Sequence, residues 1–120
     1  MDKLEHIFAL QKGFQDQLKR TRRLEYISPE EWLQKQTLAM ISELAELLEE
    51  VNFKWWKNPR EMNQAAVWEE LSDILHFFIS MCLEADMKAE DLYNVYVGKN
   101  HENVRRQEGK SEKQGYVVEE

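Results

Sequence analysis

One cysteine, two prolines and four glycines among 120 residues leave this chain few ways to break or cross-link its backbone. A single cysteine, Cys82, can build no disulfide framework, which points to a reducing compartment. Set in an apolar run, Cys82 reads as a buried structural residue; a nucleophile would need a partner base and an electropositive site. With so few glycines and prolines, long helices are favoured over many short strands. No stretch reaches the ~20 apolar residues needed to span a bilayer. The first residues also lack an apolar signal-type core, so the cytoplasm is the expected location. Positive charge is short as well: 16 Lys and Arg stand against 23 Asp and Glu, a formal charge of −7. That balance excludes a general nucleic-acid binder, which needs a cationic footprint. It does not exclude a nucleotide, whose phosphates can be held by a bound cation and a few local charges. The length suits one small domain covering residues 1–120.

What the chain does have is acid at helical spacing. Glu43-Leu44-Ala45-Glu46 and Glu70-Leu71-Ser72-Asp73 each place two carboxylates three residues apart. On a helix, positions i and i+3 share a face, so each pair offers oxygen ligands side by side. Two such helices laid together would gather four carboxylates, whose repulsion a hard divalent cation such as Mg²⁺ relieves.

Four helices are expected. Leu4, Ile7, Phe8, Leu10, Phe14 and Leu18 give spacings of three and four from Asp2 to about Thr21. Gly13 inside that helix costs roughly 1 kcal/mol against alanine, consistent with a close approach by a neighbour or ligand. The cluster Lys19-Arg20-Thr21-Arg22-Arg23 reads as a complement to the helix C-terminus, with a phosphate clamp as the alternative. Ser28-Pro29-Glu30-Glu31 starts a second helix running to about Val51. Its buried side is expected to hold Trp32, Leu33, Leu38, Ile41, Leu44, Ala45 and Leu48. A stripe such as Glu43, Glu46 and Glu50 is ordinarily solvated surface, but here Ile41, Leu44, Ala45 and Leu47 bracket it. Phe53-Lys54-Trp55-Trp56-Lys57-Asn58-Pro59 closes the helix and forms a loop, either an interhelical staple or a wall for a base with ammonium groups for phosphate.

The third helix, from about Glu61–Asn63 to Ala85, is apolar nearly all round through Leu71, Ile74, Leu75, Phe78 and Cys82, widened by Val67, Phe77, Ile79, Met81 and Leu83. Glu70 and Asp73 in such a helix are costly unless paired, protonated or bound to a cation. His76, one turn on, reads by itself as a hydrogen-bonded core histidine. A fourth helix runs from Lys88 to about Arg106, ending in Lys99, Asn100, His101, Asn103, Arg105 and Arg106, before a mobile tail from about residue 108. The fold class is all-α, a compact four-helix bundle, and the apolar third helix favours a homodimer or higher homo-oligomer.

With both carboxylate pairs in place, the sequence resembles the all-α nucleoside triphosphate pyrophosphohydrolases of the MazG-like superfamily. Phe53-Lys54-Trp55-Trp56-Lys57, Glu70-Leu71-Ser72-Asp73-Ile74-Leu75-His76-Phe77, Lys99-Asn100-x-x-Asn103-x-x-Arg106-Gln107 and Gly115-Tyr116 make it most similar to the dimeric dUTPases there. The resemblance implies that Glu43, Glu46, Glu70 and Asp73 ligate Mg²⁺, with Mn²⁺ able to replace it, and that Glu43 or Glu46 activates the attacking water. It implies that Trp56, His76, Phe77 and Asn100 surround base and deoxyribose, and that Lys57, Lys99, Arg106 and Tyr116 hold phosphates. The reaction would be dUTP plus water to dUMP and pyrophosphate, with dCTP or non-standard triphosphates as competing substrates. Its first helix departs from the family, which carries a Gln-Leu-Asn element helping to read uracil; Gln11-Lys12-Gly13-Phe14-Gln15 stands here. A non-enzymatic helical interaction module, with the acids solvated and the Trp pair docking a partner, is the reading from another class.

Overall fold

A computed structural model describes residues 1–110, and among them every regular element is an α-helix. The helices are α1 (Lys3–Thr21), α2 (Pro29–Glu50), α3 (Gln64–Glu84) and α4 (Ala89–Gln107). The first three belong to one compact unit, Met1–Asp86, and α4 to a second that begins at Met87. The tail bearing Gly115 and Tyr116 lies outside the described residues.

Each start is explained by a cap. Asp2, Ser28 and Asn63 accept hydrogen bonds from the backbone N–H of Glu5, Glu31 and Ala66, satisfying donors with no helical partner. At α4 the Asp91 carboxylate accepts instead from the Lys88 N–H at 2.9 Å. Each end turns on one left-handed residue: Arg23, Asn52, Asp86 and Gly109, with φ of 55°, 55°, 62° and 71°. After α1 the Leu24 N–H reaches the Lys19 carbonyl and the Arg23 N–H that of Arg20, the paired bonds of a Schellman stop. Three of the four left-handed positions carry side chains, which is how a glycine-poor chain still ends its helices abruptly.

In the first unit α2 lies along α3, and α1 packs on α3. The core between them holds Phe8, Ile27, Trp32, Ile79 and Cys82. Burial pushes the Cys82 thiol up, as expected of an inert core cysteine. Two expectations fail. The apolar stripe of α1 is only partly its buried side: Phe8 faces inward together with Gln11 and Gln15, but Leu10 and Phe14 are 62% and 57% exposed. Likewise Leu38, Ile41, Leu44 and Leu48 of α2, and Leu71, Leu75 and Phe78 of α3, lie open in the single chain. The core these helices form alone is narrower than their apolar residues could fill. Gly13 has open space where a Cβ would stand, so no close approach explains it.

Candidate active site

The packing of α2 on α3 brings the two acidic segments together. Carboxylate oxygens of Glu43, Glu46 and Glu70 all lie within 4.8 Å of one another. Around Mg²⁺, oxygens opposite each other stand about 4.2 Å apart, twice the usual bond. Three ligands cannot all stand opposite one another, and neighbouring oxygens lie about 3.0 Å apart, so the flexible glutamate arms must draw inward to share one cation. Asp73 adds its charge from one turn along α3, close enough to push the Glu43 pKa upward.

The electrostatics are those of a site short of positive charge. Oε2 of Glu43 and Oε2 of Glu70 are both buried without a hydrogen-bond partner. The Glu70 pKa is pushed up to about 7, first by the hydrogen bond it shares with Glu43, then by burial and by the charges of Glu46 and Glu43. For Glu43 the bond to Glu70 pulls the other way, but burial together with Glu46 and Asp73 outweighs it, and the net direction is up. Orphaned buried oxygens and crowded negative charge are what a divalent cation would relieve, and an all-oxygen donor set suits Mg²⁺ or Mn²⁺.

This has a consequence for the metal-free protein. A carboxyl whose pKa is raised on folding holds a proton that the unfolded chain has released. Its stabilising contribution is present at acid pH and lost as pH rises through about 7. In chelator, the melting temperature should fall between about pH 5 and pH 8, Glu70→Gln should flatten that fall, and Mg²⁺ should reverse it. A melting temperature independent of pH would mean the carboxylates do not strain one another.

Beside the carboxylates opens a cleft of about 340 Å³. Glu43 and Asp73 form its acidic end, His76 and Phe77 one side, and Gln11, Gln15, Trp32 and Ser80 contribute polar and aromatic lining. His76 and Phe77 thus line the same cleft as Glu43 and Asp73. The His76 Nδ1 lies 2.7 Å from the Ser72 carbonyl, so Nδ1 carries the proton and donates; the histidine is hydrogen-bonded as expected, but its ring is exposed and not in the core. A second, more apolar cleft of about 430 Å³ adjoins it, sharing Gln11, Phe14 and His76.

Residues 3–91 match the sequence model of a family described as dUTPase. The chain belongs to the dUTPase family. No curated protein and no solved structure matches it significantly. Membership in the dUTPase family gives nucleotide hydrolysis at family level, and the all-helical architecture accords with an all-α fold of that kind.

Two further candidates of the first unit, Trp56 and Lys57, are not among the residues lining this cleft. Trp56 and Lys57 sit on the loop after α2, which Asn52 pins by donating to the Arg60 carbonyl at 2.8 Å and accepting from its N–H at 3.0 Å. Arg60 in turn donates to the Glu49 carbonyl, 2.9 Å away. Trp55 and Trp56 meet edge to face and both remain exposed, so neither acts as a buried staple. Lys57 lines a separate polar recess with Glu49, Asn52 and Lys54. Lys99, Asn100 and Arg106 belong to α4, in the second unit, where Arg106 Nε faces Glu102 at 3.5 Å. Tyr116 lies outside the described residues.

Sequence reasoning missed a set of buried polar residues at the cleft floor. Trp32 Nε1 donates to Ser80 Oγ at 2.8 Å, and Ser80 donates to Gln15 Oε1 at 2.5 Å. Gln15 Nε2 then donates to Glu84 at 2.8 Å, and Glu84 is paired with Lys19. The Lys19 ammonium stands 4.5 Å from the centre of the Trp32 ring, closing the circuit. The usable signal was the spacing Phe8, Gln11, Gln15, which is as helical as the apolar stripe beside it.

Proposed function

We propose that this dUTPase-family chain is a Mg²⁺-dependent pyrophosphohydrolase converting dUTP and water to dUMP and pyrophosphate. The observation that carries it is the gathering of Glu43, Glu46 and Glu70, with Asp73 beside them, at one end of a cleft of nucleoside size. These four carboxylates would hold the cation, with Mn²⁺ able to replace Mg²⁺. When bound, it supplies positive charge to the phosphates and lowers the pKa of nearby water. Glu43 or Glu46 takes the proton from the attacking water; the water oxygen bonds to phosphorus, and pyrophosphate leaves. His76 and Phe77 flank the sugar and base within the cleft. Trp56 and Asn100 are assigned to base and sugar, and Lys57, Lys99, Arg106 and Tyr116 to phosphates, on the strength of the motifs alone.

The open apolar residues of α2 and α3 support a homodimer, since a lone chain would leave Leu38, Ile41, Leu71 and Leu75 in water. Sedimentation should give twice the 14.4 kDa chain mass; a monomer at micromolar concentration would contradict it. No helix among the described residues is long and apolar enough to cross a membrane, and a lone buried cysteine suits the cytoplasm we assign. The decisive assay is pyrophosphate release across dUTP, dTTP, dCTP and non-standard triphosphates. The expected result is Mg²⁺-dependent release with dUTP preferred. Release from dCTP at an equal or higher rate would favour a house-cleaning pyrophosphohydrolase, and none from any nucleotide would overturn the enzyme.

A further inference from the structure

The loop between α2 and α3 is closed on itself. Asn52 stands at φ 55°, a left-handed conformation that asparagine tolerates better than most side chains. From there its carboxamide donates to the Arg60 carbonyl at 2.8 Å and accepts from the Arg60 N–H at 3.0 Å. One side chain thus takes both backbone groups of a single distant residue, as a paired strand would. The Arg60 guanidinium donates to the Glu49 carbonyl at 2.9 Å, and the Lys54 ammonium pairs with the Glu49 carboxylate at 3.1 Å. This ring frames a polar recess of about 300 Å³ with Lys54, Lys57 and Arg60 on its walls. Lys54 and Arg60 are spent on Glu49. Among the described residues the Lys57 ammonium has no carboxylate or carbonyl partner.

The recess continues a line that runs along α2. Trp32 and Glu43 line the cleft, Glu46 belongs to the carboxylate cluster, and Glu49 lines the recess. Residues three apart are neighbours on a helix, so Glu49 follows Glu46 after a rise of roughly 4.5 Å. A nucleoside triphosphate has the same order: nucleoside, the phosphorus under attack, then two terminal phosphates. We propose that Asn52 and Arg60 are positioning residues, closing the loop so that Lys57 is held past the carboxylates to receive the terminal phosphates. This rests on the nucleotide-hydrolase reading above. An ammonium on an open loop would lose much of its binding energy to ordering that loop, whereas one on a closed ring is already in place. Neither Asn52 nor Arg60 need touch the substrate; both act through Lys57.

The test uses Mg²⁺-pyrophosphate, which has no base and so isolates the phosphate end from Trp56. Asn52→Gly keeps the left-handed backbone and removes the clamp. It should weaken calorimetric pyrophosphate binding about tenfold and raise KM for dUTP as much, with kcat changed less than about twofold. Trypsin should nick its loop, after Lys54, Lys57 or Arg60, about tenfold faster than in wild type. Lys57→Met should lose the same affinity without faster nicking, and the double variant should bind no worse than Lys57→Met alone. Asn52→Asp keeps the acceptor but not the donor and should fall between; it carries the test should Asn52→Gly fail to fold. Additive losses of the two single changes, pyrophosphate affinity unchanged in a folded Asn52 variant, or unchanged nicking would each overturn the proposal. Absence of pyrophosphate release from every nucleotide would instead sink the hydrolase reading, while pyrophosphate binding would still judge the clamp.

Discussion

Glu70→Gln is expected to lower kcat for nucleotide hydrolysis by about 10³-fold while making the metal-free protein more stable above pH 7. The two effects have one cause. Glu70 is pressed against Glu43 and Glu46, with a pKa pushed up to about 7, so its charge is unwelcome without a cation. An amide of the same shape relieves the repulsion but is a poor cation ligand, and electrostatic stabilisation of the transition state goes with it. A carboxylate kept for structure would behave otherwise: its loss would cost stability and leave catalysis alone. Initial-rate measurements with saturating Mg²⁺, paired with melting curves in chelator, check both signs. Equal activity in Glu70→Gln, or a loss of stability at pH 8, would remove Glu70 from the site. Opposite movements of stability and activity are the signature of a residue placed for function.

Trp32→Ala is expected to cost about 3–5 kcal/mol, a large fraction of the stability of a domain this size. Of the four tryptophans, Trp32 alone is buried, at 3% exposed. Its removal opens a cavity where α1, α2 and α3 meet. It also takes from Ser80 Oγ the hydrogen bond that it accepts and leaves the Lys19 ammonium without its ring, so the loss exceeds that of packing. Trp55, 86% exposed, is the control: Trp55→Ala should stay within about 0.5 kcal/mol. Urea unfolding at one protein concentration measures both. A Trp32→Ala cost no greater than that of Trp55→Ala would mean the circuit does not hold the three helices together.

The helices were readable because their signals are local. Ser28-Pro29, Asn63 and the apolar spacing of α3 act within a few residues, and the observed bounds lie within about three residues of those expected. The acidic centre was readable for a related reason. Two pairs at i and i+3 need only one helix–helix packing to meet, and α2 against α3 supplies it. The cleft floor was not readable. Hydrophobicity ranks Leu10 and Phe14 above Gln11 and Gln15, and it fails where a buried amide such as that of Gln15 is satisfied by partners more than sixty residues away. A glutamine gives no sign in sequence that Ser80 and Glu84 will complete it. The open faces of α2 and α3 have the same character: their apolar residues were recognised, but what a lone chain covers depends on the packing of whole helices.

The most direct test of the central claim is a calorimetric titration of Mg²⁺ into the nucleotide-free protein at pH 8, repeated with Glu43→Gln and Glu70→Gln. Binding is predicted for the wild type, with proton release that grows as the pH is lowered toward 7, because Glu70 must give up its proton to the cation. Both variants should lose it. Wild type that takes up no Mg²⁺ or Mn²⁺, or variants that bind as tightly as wild type, would show that the carboxylates gathered between α2 and α3 are not a metal centre.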